Sequence, residues 1–400
     1  MDGYSTALVC AAAVTAAALY LGARRYIDNS AVELVAAPEG VRAAIEAHCP
    51  SLADPARARL VPAPHLPTGM LQTVYATMVA LRRDGRSDVE YERETRAMAD
   101  GGTVSLDWFP ARPGGAESAQ PIVIVIPGVG GSSYEYHVRC LAKRLARAGM
   151  RAVVANHRGS ARTPLTSSQL YNAYDTRDLT AHVAHLAASF PRARLACVGF
   201  SLGASILTRY LGDAGAEARL AAGVTVSCPF DMLMSGRSMS APGFLNDRFF
   251  MPALMATIRR TVQRNIDVVR SSPVQYDIDA IMRAKRMSDI DTLVTAKTYG
   301  FRDCWEYYEA ASSMHSVPRI RRPFLAINAR DDHVAHAPGI PLASFRANPH
   351  TALALVAHGG HIGFFTGLPP RIWYLDPIAE FLGAALADHL TASEPGAQTR

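Results

Sequence analysis

The chain of 400 residues is long enough to bury a large core, which predicts one catalytic domain with additional segments. Its content of 49% hydrophobic and 19% charged residues is typical of a globular protein rather than a disordered one. The net charge of +6 comes from scattered basic residues, which favours an anionic membrane surface as partner and predicts no nucleic-acid partner. The six cysteines form no Cys-x-x-Cys pair, which predicts reduced thiols in a cytosolic compartment and neither a zinc site nor a redox motif.

The N-terminal segment is apolar. Residues 7–22 carry no charge, and with residues 3–6 they approach the ~20 residues that cross a bilayer. Arg24 and Arg25 follow this run, and Asp2 precedes it. A signal peptide is the competing interpretation, but the positively charged leading region of such peptides is missing; a mitochondrial leader is a third option. We predict a single-pass membrane anchor over residues 1–25, with the catalytic domain on the cytosolic side by the positive-inside rule.

Residues 26–110 are assigned to an N-terminal extension and the first hairpin of the sheet. Val32 to Arg59 is predicted to be helical, and the proline-rich run from Val61 to Pro67 is predicted to be extended. Arg93 to Phe109 alternates apolar and polar residues around Asp100-Gly101-Gly102, which predicts a β-hairpin.

Residues 111–390 are predicted to form the catalytic domain, and residues 391–400 a disordered polar tail. Apolar runs indicate six strands: Ile122–Ile126, Arg151–Ala155, Arg194–Val198, Ala222–Ser227, Phe324–Asn328 and Ala352–Val356. Segments of helical character alternate with these strands: Tyr136–Ala148, Asp178–Ser189, Ala204–Leu211 and Asp376–His389. This alternation predicts an α/β fold, a mostly parallel sheet covered by helices on both faces.

Residues 229–317 interrupt the alternation and are predicted to form a helical lid over the active site. The segment contains Phe249-Phe250 and eight methionines: Met232, Met234, Met239, Met251, Met255, Met282, Met287 and Met314. Methionine is flexible and polarizable, so a methionine-rich cover would fit variable acyl chains. The alternative is an ordinary layer of packed helices.

The motif Gly199-Phe200-Ser201-Leu202-Gly203 follows an apolar strand and precedes a helix. This is the context of a nucleophile elbow, a tight turn that projects a serine hydroxyl from the top of a sheet. Ser201 is therefore the candidate nucleophile. An aspartate in a strand-end loop and a histidine in a Gly-rich loop follow it, and Ser, acid, His is the chain order of the α/β-hydrolases.

His361 is the candidate general base that takes the serine proton, and an aspartate must orient its imidazole. Asp331 and Asp332 compete for the acid position, and the spacing from the small residue that ends the strand favours Asp332. His358 lies nearer the strand end and is interpreted as structural or supporting. His157 is also interpreted as structural, because a triad needs one histidine.

The tetrahedral intermediate requires two backbone N–H donors, and Leu202 should supply the first. The second is expected from the loop Pro127 to Ser133, with Val129 as the first choice and Gly130 as the next. No Gly-Lys-Ser/Thr follows this glycine-rich loop, so it is not a phosphate loop. Asp178 precedes the nucleophile at a predicted helix start, so it is interpreted as an N-cap or an ion-pair partner.

Taken together, these motifs resemble the membrane-anchored α/β-hydrolase-domain proteins of AB hydrolase family four, which include animal phospholipases and monoacylglycerol lipases. The resemblance covers about residues 60 to 385 and rests on seven segments: 69–73, 91–108, 127–132, 156–159, 199–203, 328–332 and 358–364. It implies an α/β-hydrolase fold, an N-terminal anchor and a triad of Ser201, Asp332 and His361. Some members carry a His-x4-Asp acyltransferase motif, which is missing from this sequence.

These features predict a membrane-tethered serine hydrolase that cleaves carboxylic esters of lipids, either phospholipids or acylglycerols. We expect no metal, no cofactor and no obligate protein partner. Two alternatives stay open: an acyltransferase or thioesterase that uses the same triad, and a non-catalytic lipid-binding receptor on a hydrolase fold.

Overall fold

The fold is organised around one large sheet. The computed structural model describes residues 30–81 and 88–387. Its main strands are β1 (Glu33–Ala36), β2 (Glu92–Ala97), β3 (Thr103–Phe109), β4 (Ile122–Ile126), β5 (Arg151–Asn156), β6 (Leu195–Phe200), β7 (Ala222–Val226), β8 (Phe324–Ala329) and β9 (Thr351–Val356). They form a nine-stranded sheet in the order β1-β9-β8-β7-β6-β4-β5-β3-β2. A separate pair, β10 (Phe365–Thr366) and β11 (Arg371–Ile372), lies outside it.

The centre of the sheet is parallel and buried on both faces. All neighbouring pairs from β5 through β4, β6, β7 and β8 to β9 are parallel. On β4, Ile122 and Ile124 pack into one apolar layer, whereas Val123 and Val125 pack into the other. Successive side chains of a strand point to opposite faces, so an uninterrupted apolar run fits this position. The prediction of a mostly parallel sheet is confirmed.

Helices cover both faces of the sheet. They are α1 (Val41–His48), α2 (Pro50–Ala53), α3 (Gly69–Leu81), α4 (Tyr136–Arg147), α5 (Arg177–Ser189), α6 (Leu202–Ala214), α14 (Leu342–Ala347) and α15 (Leu375–Leu386), with α7 to α13 in the insertion described below. Residues of α4 and α15 pack into one apolar layer, and residues of α5 and α6 pack into the other. This places helices on both sides of the parallel strands, as expected for an α/β fold.

The prediction of a helix over residues 32–59 is wrong at its start and at its end, since residues 54–59 form turns and a β-bridge. Glu33–Ala36 is strand β1, which pairs antiparallel with β9 and ends the sheet on that side. Helix α1 begins only at Val41, after Pro38 and Gly40. Proline lacks an N–H, and Gly40 has a φ of 83°, so a continuous helix cannot pass through this segment.

The predicted hairpin at the other end of the sheet is confirmed. Strands β2 and β3 are antiparallel, and β3 pairs antiparallel with β5. The guanidinium of Arg93 donates to both carboxylate oxygens of the buried Asp107, each over 2.7 Å. The ring N–H of Trp108 donates to Glu94 over 3.1 Å. These polar contacts connect β2 and β3, the two strands that the alternating sequence predicts.

Residues 229–317 contain helices and turns but no strand, and the structure describes this whole segment. The helices are α7 (Met232–Ser240), α8 (Met251–Arg264), α9 (Ile266–Arg270), α10 (Ile278–Arg283), α11 (Met287–Ile290), α12 (Lys297–Tyr299) and α13 (Cys304–Ala311). Two π-helical turns, Asn246–Phe250 and Asp291–Ala296, lie between them. We call this insertion the lid segment. It has a small apolar core of its own around Met251, Met255 and Ile281.

Most methionines of the lid segment take part in packing. Met251 and Met255 are buried, and Met239, Met282 and Met287 contact the same cluster. This arrangement favours the ordinary packing layer over a methionine-lined acyl pocket.

Two predicted segments, the anchor over residues 1–25 and the tail over residues 391–400, lie outside the described residues. Among residues 30–81 and 88–387, no helix combines the length and apolar character that crossing a bilayer requires. The five cysteines in that part of the chain are free thiols, as expected for Cys49, Cys140, Cys197, Cys228 and Cys304.

Candidate active site

Ser201 occupies the sharp turn between β6 and α6. Its φ of 50° and ψ of −113° are unusual for a residue with a side chain, and such strain is concentrated at functional sites. The turn closes only because two neighbours are glycines. A Cβ on Gly199 would lie 2.4 Å from the carbonyl oxygen of Gly203, and a Cβ on Gly203 would lie 2.4 Å from that of Ile126. The hydroxyl is therefore held at the carboxyl end of the central strands.

His361 connects Ser201 to Asp332. Its Nε2 lies 2.7 Å from the Ser201 Oγ, and its Nδ1 lies 2.9 Å from one carboxylate oxygen of Asp332. A carboxylate only accepts, so Nδ1–H donates to Asp332 and Nε2 is left to accept the serine proton. Burial tends to raise the pKa of Asp332, but His361 and the backbone N–H of Ala335 lower it below its ordinary value. Asp332 is thus held in the charged form that orients the imidazole.

Asp331, the competing aspartate, makes different contacts. Its carboxylate accepts from the backbone N–H groups of Gly359 and Gly360, each over 2.9 Å, and from the ring of His358 over 3.2 Å. These bonds shape the loop that carries His361. The two neighbouring aspartates therefore hold the same histidine loop in two ways, Asp332 through the imidazole and Asp331 through the backbone.

The loop after β4, which carries Val129, passes beside the nucleophile. A Cβ on Gly128 would be 3.2 Å from the Ser201 Cβ, so the loop after β4 runs beside the serine. Within the described part of the chain, neither the N–H of Val129 nor that of Leu202 donates a hydrogen bond. The assignment of these two N–H groups as oxyanion donors stays a prediction, and no competing acceptor in the described residues engages either of them.

Gly130, the second choice for this donor, is already engaged. Its N–H donates to the Tyr171 hydroxyl oxygen over 2.8 Å. The Tyr171 ring stacks on His157, with centroids 4.0 Å apart and planes 10° apart, and the His157 Nε2–H donates to the Pro127 carbonyl over 2.9 Å. Burial lowers the pKa of His157, which favours the neutral form of the ring. Through these two hydrogen bonds, the stacked pair holds the loop that carries Val129 at Pro127 and at Gly130.

No sequence pattern pointed to Tyr171, because it lies in an irregular segment between β5 and α5. His157 fits its interpretation as a structural histidine. Asp178 makes an ion pair with Arg158 over 2.7 Å and makes no N-cap hydrogen bond, since Thr176 occupies that position.

Helix α3, which the sequence analysis did not predict, supports the histidine loop. The backbone N–H of His361 donates to the Thr73 hydroxyl over 2.8 Å, and that of Phe365 donates to the Gln72 side chain over 2.7 Å. A Cβ on Gly360 would lie 2.0 Å from the Gly69 carbonyl, so the helix start and the loop are in close contact. The uncharged run of residues 69–81 after Pro67 is the signal that indicates this helix.

Comparison with known proteins identifies the family. The sequence profile of the alpha/beta hydrolase fold matches residues 121–368, which is more than half of the chain. The chain belongs to the α/β-hydrolase family. The match spans β4 to β10 of this α/β hydrolase and includes Ser201, Asp332 and His361.

Several curated relatives of this α/β hydrolase are lipid esterases by name. Monoacylglycerol lipase of Saccharomyces cerevisiae is 32% identical over 67% of this chain and 60% of its own length. Phospholipase ABHD3 of Mus musculus is 30% identical over 75% of this chain and 73% of its own length. Medium-chain fatty acid ethyl ester synthase/esterase 2 of S. cerevisiae is 29% identical over 84% of this chain and 87% of its own length. The chain thus spans less than two thirds of the yeast lipase.

The lid segment of this α/β hydrolase touches both sides of the site. On one side, a Cβ on Gly130 would lie 3.0 Å from the Thr257 methyl group of α8. On the other, the Phe250 ring lies 5.2 Å from the ring of His333, the residue after Asp332. Ser201 itself is 7% exposed. Among the described residues, no group of three or more His, Cys, Asp or Glu side chains is placed to hold a metal ion.

Proposed function

We propose that the chain is a serine hydrolase that cleaves carboxylic esters of lipids through Ser201, His361 and Asp332. The observation that carries this proposal is the line of contacts from the Ser201 hydroxyl through His361 to the Asp332 carboxylate, over 2.7 and 2.9 Å. Serine alone is a weak nucleophile at neutral pH, and a histidine held in this tautomer activates it by accepting its hydroxyl proton.

The geometry suggests the following reaction. Ser201 Oγ attacks the acyl carbon while its proton moves to Nε2 of His361, and the oxyanion accepts from the N–H groups of Val129 and Leu202. When the tetrahedral intermediate collapses, His361 returns the proton to the leaving alcohol. Water then attacks the acyl-enzyme, gives a proton to His361 and releases the fatty acid, after which Ser201 regains its proton. The negative charge of Asp332 stabilises the imidazolium in both halves.

Lipid esters are the proposed substrates because two relatives are named as a monoacylglycerol lipase and a phospholipase. The apolar run of residues 7–22, followed by two arginines, supports a membrane anchor with the catalytic domain on the cytosolic side. In this proposal the anchor keeps the enzyme at the surface where its substrates are dissolved.

A second candidate activity is acyl transfer to an alcohol, supported by the relative named as an ethyl ester synthase/esterase. The acyl-enzyme accepts any nucleophile that reaches it, so an alcohol competes with water. Adding ethanol to the assay and measuring ethyl ester against free fatty acid separates the two activities. The third hypothesis, a receptor without catalysis, requires binding of lipid with hydrolysis at background.

Labelling with a fluorophosphonate probe tests the triad directly. We expect the full-length chain in membranes to label, and Ser201→Ala and His361→Ala to abolish labelling. His358→Ala is the matched control, because this second histidine of the same loop contacts Asp331 instead and should leave labelling largely intact. Labelling that persists in Ser201→Ala, or folded wild-type protein that does not label, would overturn the proposed mechanism.

A further inference from the structure

Two aromatic rings of the lid segment are exposed just before helix α8, within residues 244–249, which we call the apex. Phe244 is 78% exposed and Phe249 is 43% exposed, and their rings contact each other edge to face with centroids 6.4 Å apart. Arg248 lies between them in the sequence and is also exposed. Single exposed apolar residues are common on proteins, whereas two exposed phenylalanines in contact with each other form a small apolar surface.

The stretch of sequence that contains the apex is basic. Residues 237–264 contain five arginines and one acidic residue, Asp247. Asp247 is itself partly neutralised, since one of its carboxylate oxygens lies 3.5 Å from the guanidinium of Arg286. Exposed phenylalanines insert at the boundary between lipid headgroups and acyl chains, and arginines favour anionic headgroups. The chemistry of the apex is therefore complementary to an anionic bilayer.

One helix joins this apex to the candidate active site. Helix α3 packs against the π-helical turn Asn246–Phe250. On the same helix, Thr73 accepts the hydrogen bond from the backbone N–H of His361. The helix has no charged residue over Gly69–Leu81, and Met78 on it is exposed. A surface seated on lipid at the apex would thus be connected through α3 to the loop of the catalytic histidine.

We propose that Phe244, Arg248 and Phe249, which we call the docking surface, bind an anionic phospholipid bilayer and bring the lid segment to the membrane. This contact is separate from the proposed anchor over residues 1–25. It orients the domain so that a lipid ester leaves the bilayer beside the lid and reaches Ser201. The inference rests on the proposed function, because hydrolysis is its main measurement.

The first test compares lipid and soluble substrates in the full-length chain. Vesicles of phosphatidylcholine, alone or mixed with phosphatidylserine, carry a long-chain acylglycerol, and a short-chain ester in solution reports the chemistry alone. We expect the variant Phe244→Ser/Phe249→Ser to lower hydrolysis on the anionic vesicles about tenfold, because two apolar side chains are lost from the interface. Soluble-ester hydrolysis should stay within about twofold, since neither ring touches the reacting atoms. Arg248→Glu should remove the preference for anionic vesicles.

Leu368→Ser is the matched control, because Leu368 is also 78% exposed but lies in the loop between β10 and β11. It should hydrolyse both kinds of vesicle like the wild type. Equal losses in this control, or unchanged vesicle hydrolysis in the double phenylalanine variant, would overturn the docking surface. An equal loss on the soluble ester would also overturn it, since that result indicates disturbed lid packing. If wild-type protein fails to hydrolyse the soluble ester, the proposed function itself is wrong.

A local measurement tests the contact without catalysis. Phe244→Trp in the full-length chain should gain fluorescence quenching by brominated phosphatidylcholine/phosphatidylserine vesicles, beyond that of the three native tryptophans. Leu368→Trp should gain none. Because the anchor would bring both variants to the vesicles, a difference between them reports the docking surface alone, and equal quenching contradicts it.

Discussion

Replacing Tyr171 by Phe tests whether the loop that carries Val129 depends on a hydrogen bond from a residue outside that loop. The variant keeps the ring that stacks on His157 but removes the hydroxyl that accepts the Gly130 N–H over 2.8 Å. Gly130 directly follows Val129, the proposed oxyanion donor, so a shift of this peptide changes the donor's direction. Tyr171 is a positioning residue in this scheme, because its side chain does not touch the reacting atoms.

The size of the effect follows from the bond that is lost. One neutral hydrogen bond contributes about 0.5–1.5 kcal/mol, and each ~1.4 kcal/mol of transition-state stabilisation is a tenfold change in rate. We therefore expect kcat to fall about tenfold, below the roughly 10²–10³-fold loss that follows removal of an oxyanion donor itself. KM should change less than about twofold, since the oxyanion forms only in the transition state.

Steady-state kinetics on a soluble ester, with binding of a trifluoromethyl ketone, provide the measurement. The affinity for this analogue, which forms an oxyanion when Ser201 adds to it, should fall in parallel with kcat. Tyr276→Phe is the control, because it removes a hydroxyl hydrogen bond of the same length, to Thr298 within the lid segment. The reasoning is refuted if Tyr171→Phe keeps wild-type kcat, or if it raises KM alone.

Three further predictions concern single residues. Asp332→Asn should lower kcat about 10⁴-fold, because the asparagine amide favours the wrong tautomer of His361. Asp331→Asn should lower kcat less than about tenfold. Equal losses of kcat in the two variants would contradict the assignment of Asp332 as the acid. Burial raises the pKa of Asp291 to about 6, so its contribution to stability is largest below about pH 4 and is lost as the pH rises through 6. Relative to wild type, Asp291→Asn should gain up to about 3 kcal/mol of unfolding free energy between about pH 4 and pH 7, and parallel denaturation curves would refute this. Gly203→Ala should destabilise the fold by more than about 2 kcal/mol, because its Cβ meets a backbone carbonyl at 2.4 Å, and thermal unfolding checks this against Gly383→Ala. That control has open space for its Cβ within a helix and should gain about 1 kcal/mol.

The strands of the central sheet are predictable because their signal is local. An apolar run such as Ile122 to Ile126 fits one environment, a strand buried on both faces, and the structure places it there. The Gly-x-Ser-x-Gly turn is also readable, since its backbone demands glycine at fixed positions around Ser201. Chain order and the position of each residue in its loop predict the pairing of Asp332 with His361, because both features are local to the sequence.

Other parts of the site depend on contacts between distant segments. Tyr171 acts on Gly130 across 41 residues of sequence, and nothing in its own neighbourhood indicates that contact. Thr73 and His361 are 288 residues apart, so the support of the histidine loop by α3 becomes visible only in the folded chain. The sequence predicts helix over β1 because a four-residue strand carries too little periodicity to outweigh the helical stretch after it.

The pairing of β1 with β9 has a consequence for shortened forms of the chain. Glu33 to Ala36 cover the outer side of β9, and Glu33 is also paired with Arg330. If a chain is shortened to remove the apolar N-terminal segment but keeps these residues, the edge of β9 stays paired with β1. A chain shortened so that it also loses Glu33 to Ala36 would expose the unpaired backbone N–H and C=O groups of β9, which is six residues long and buried in the intact fold. Such an edge pairs with strands of other molecules, so aggregation is the expected result.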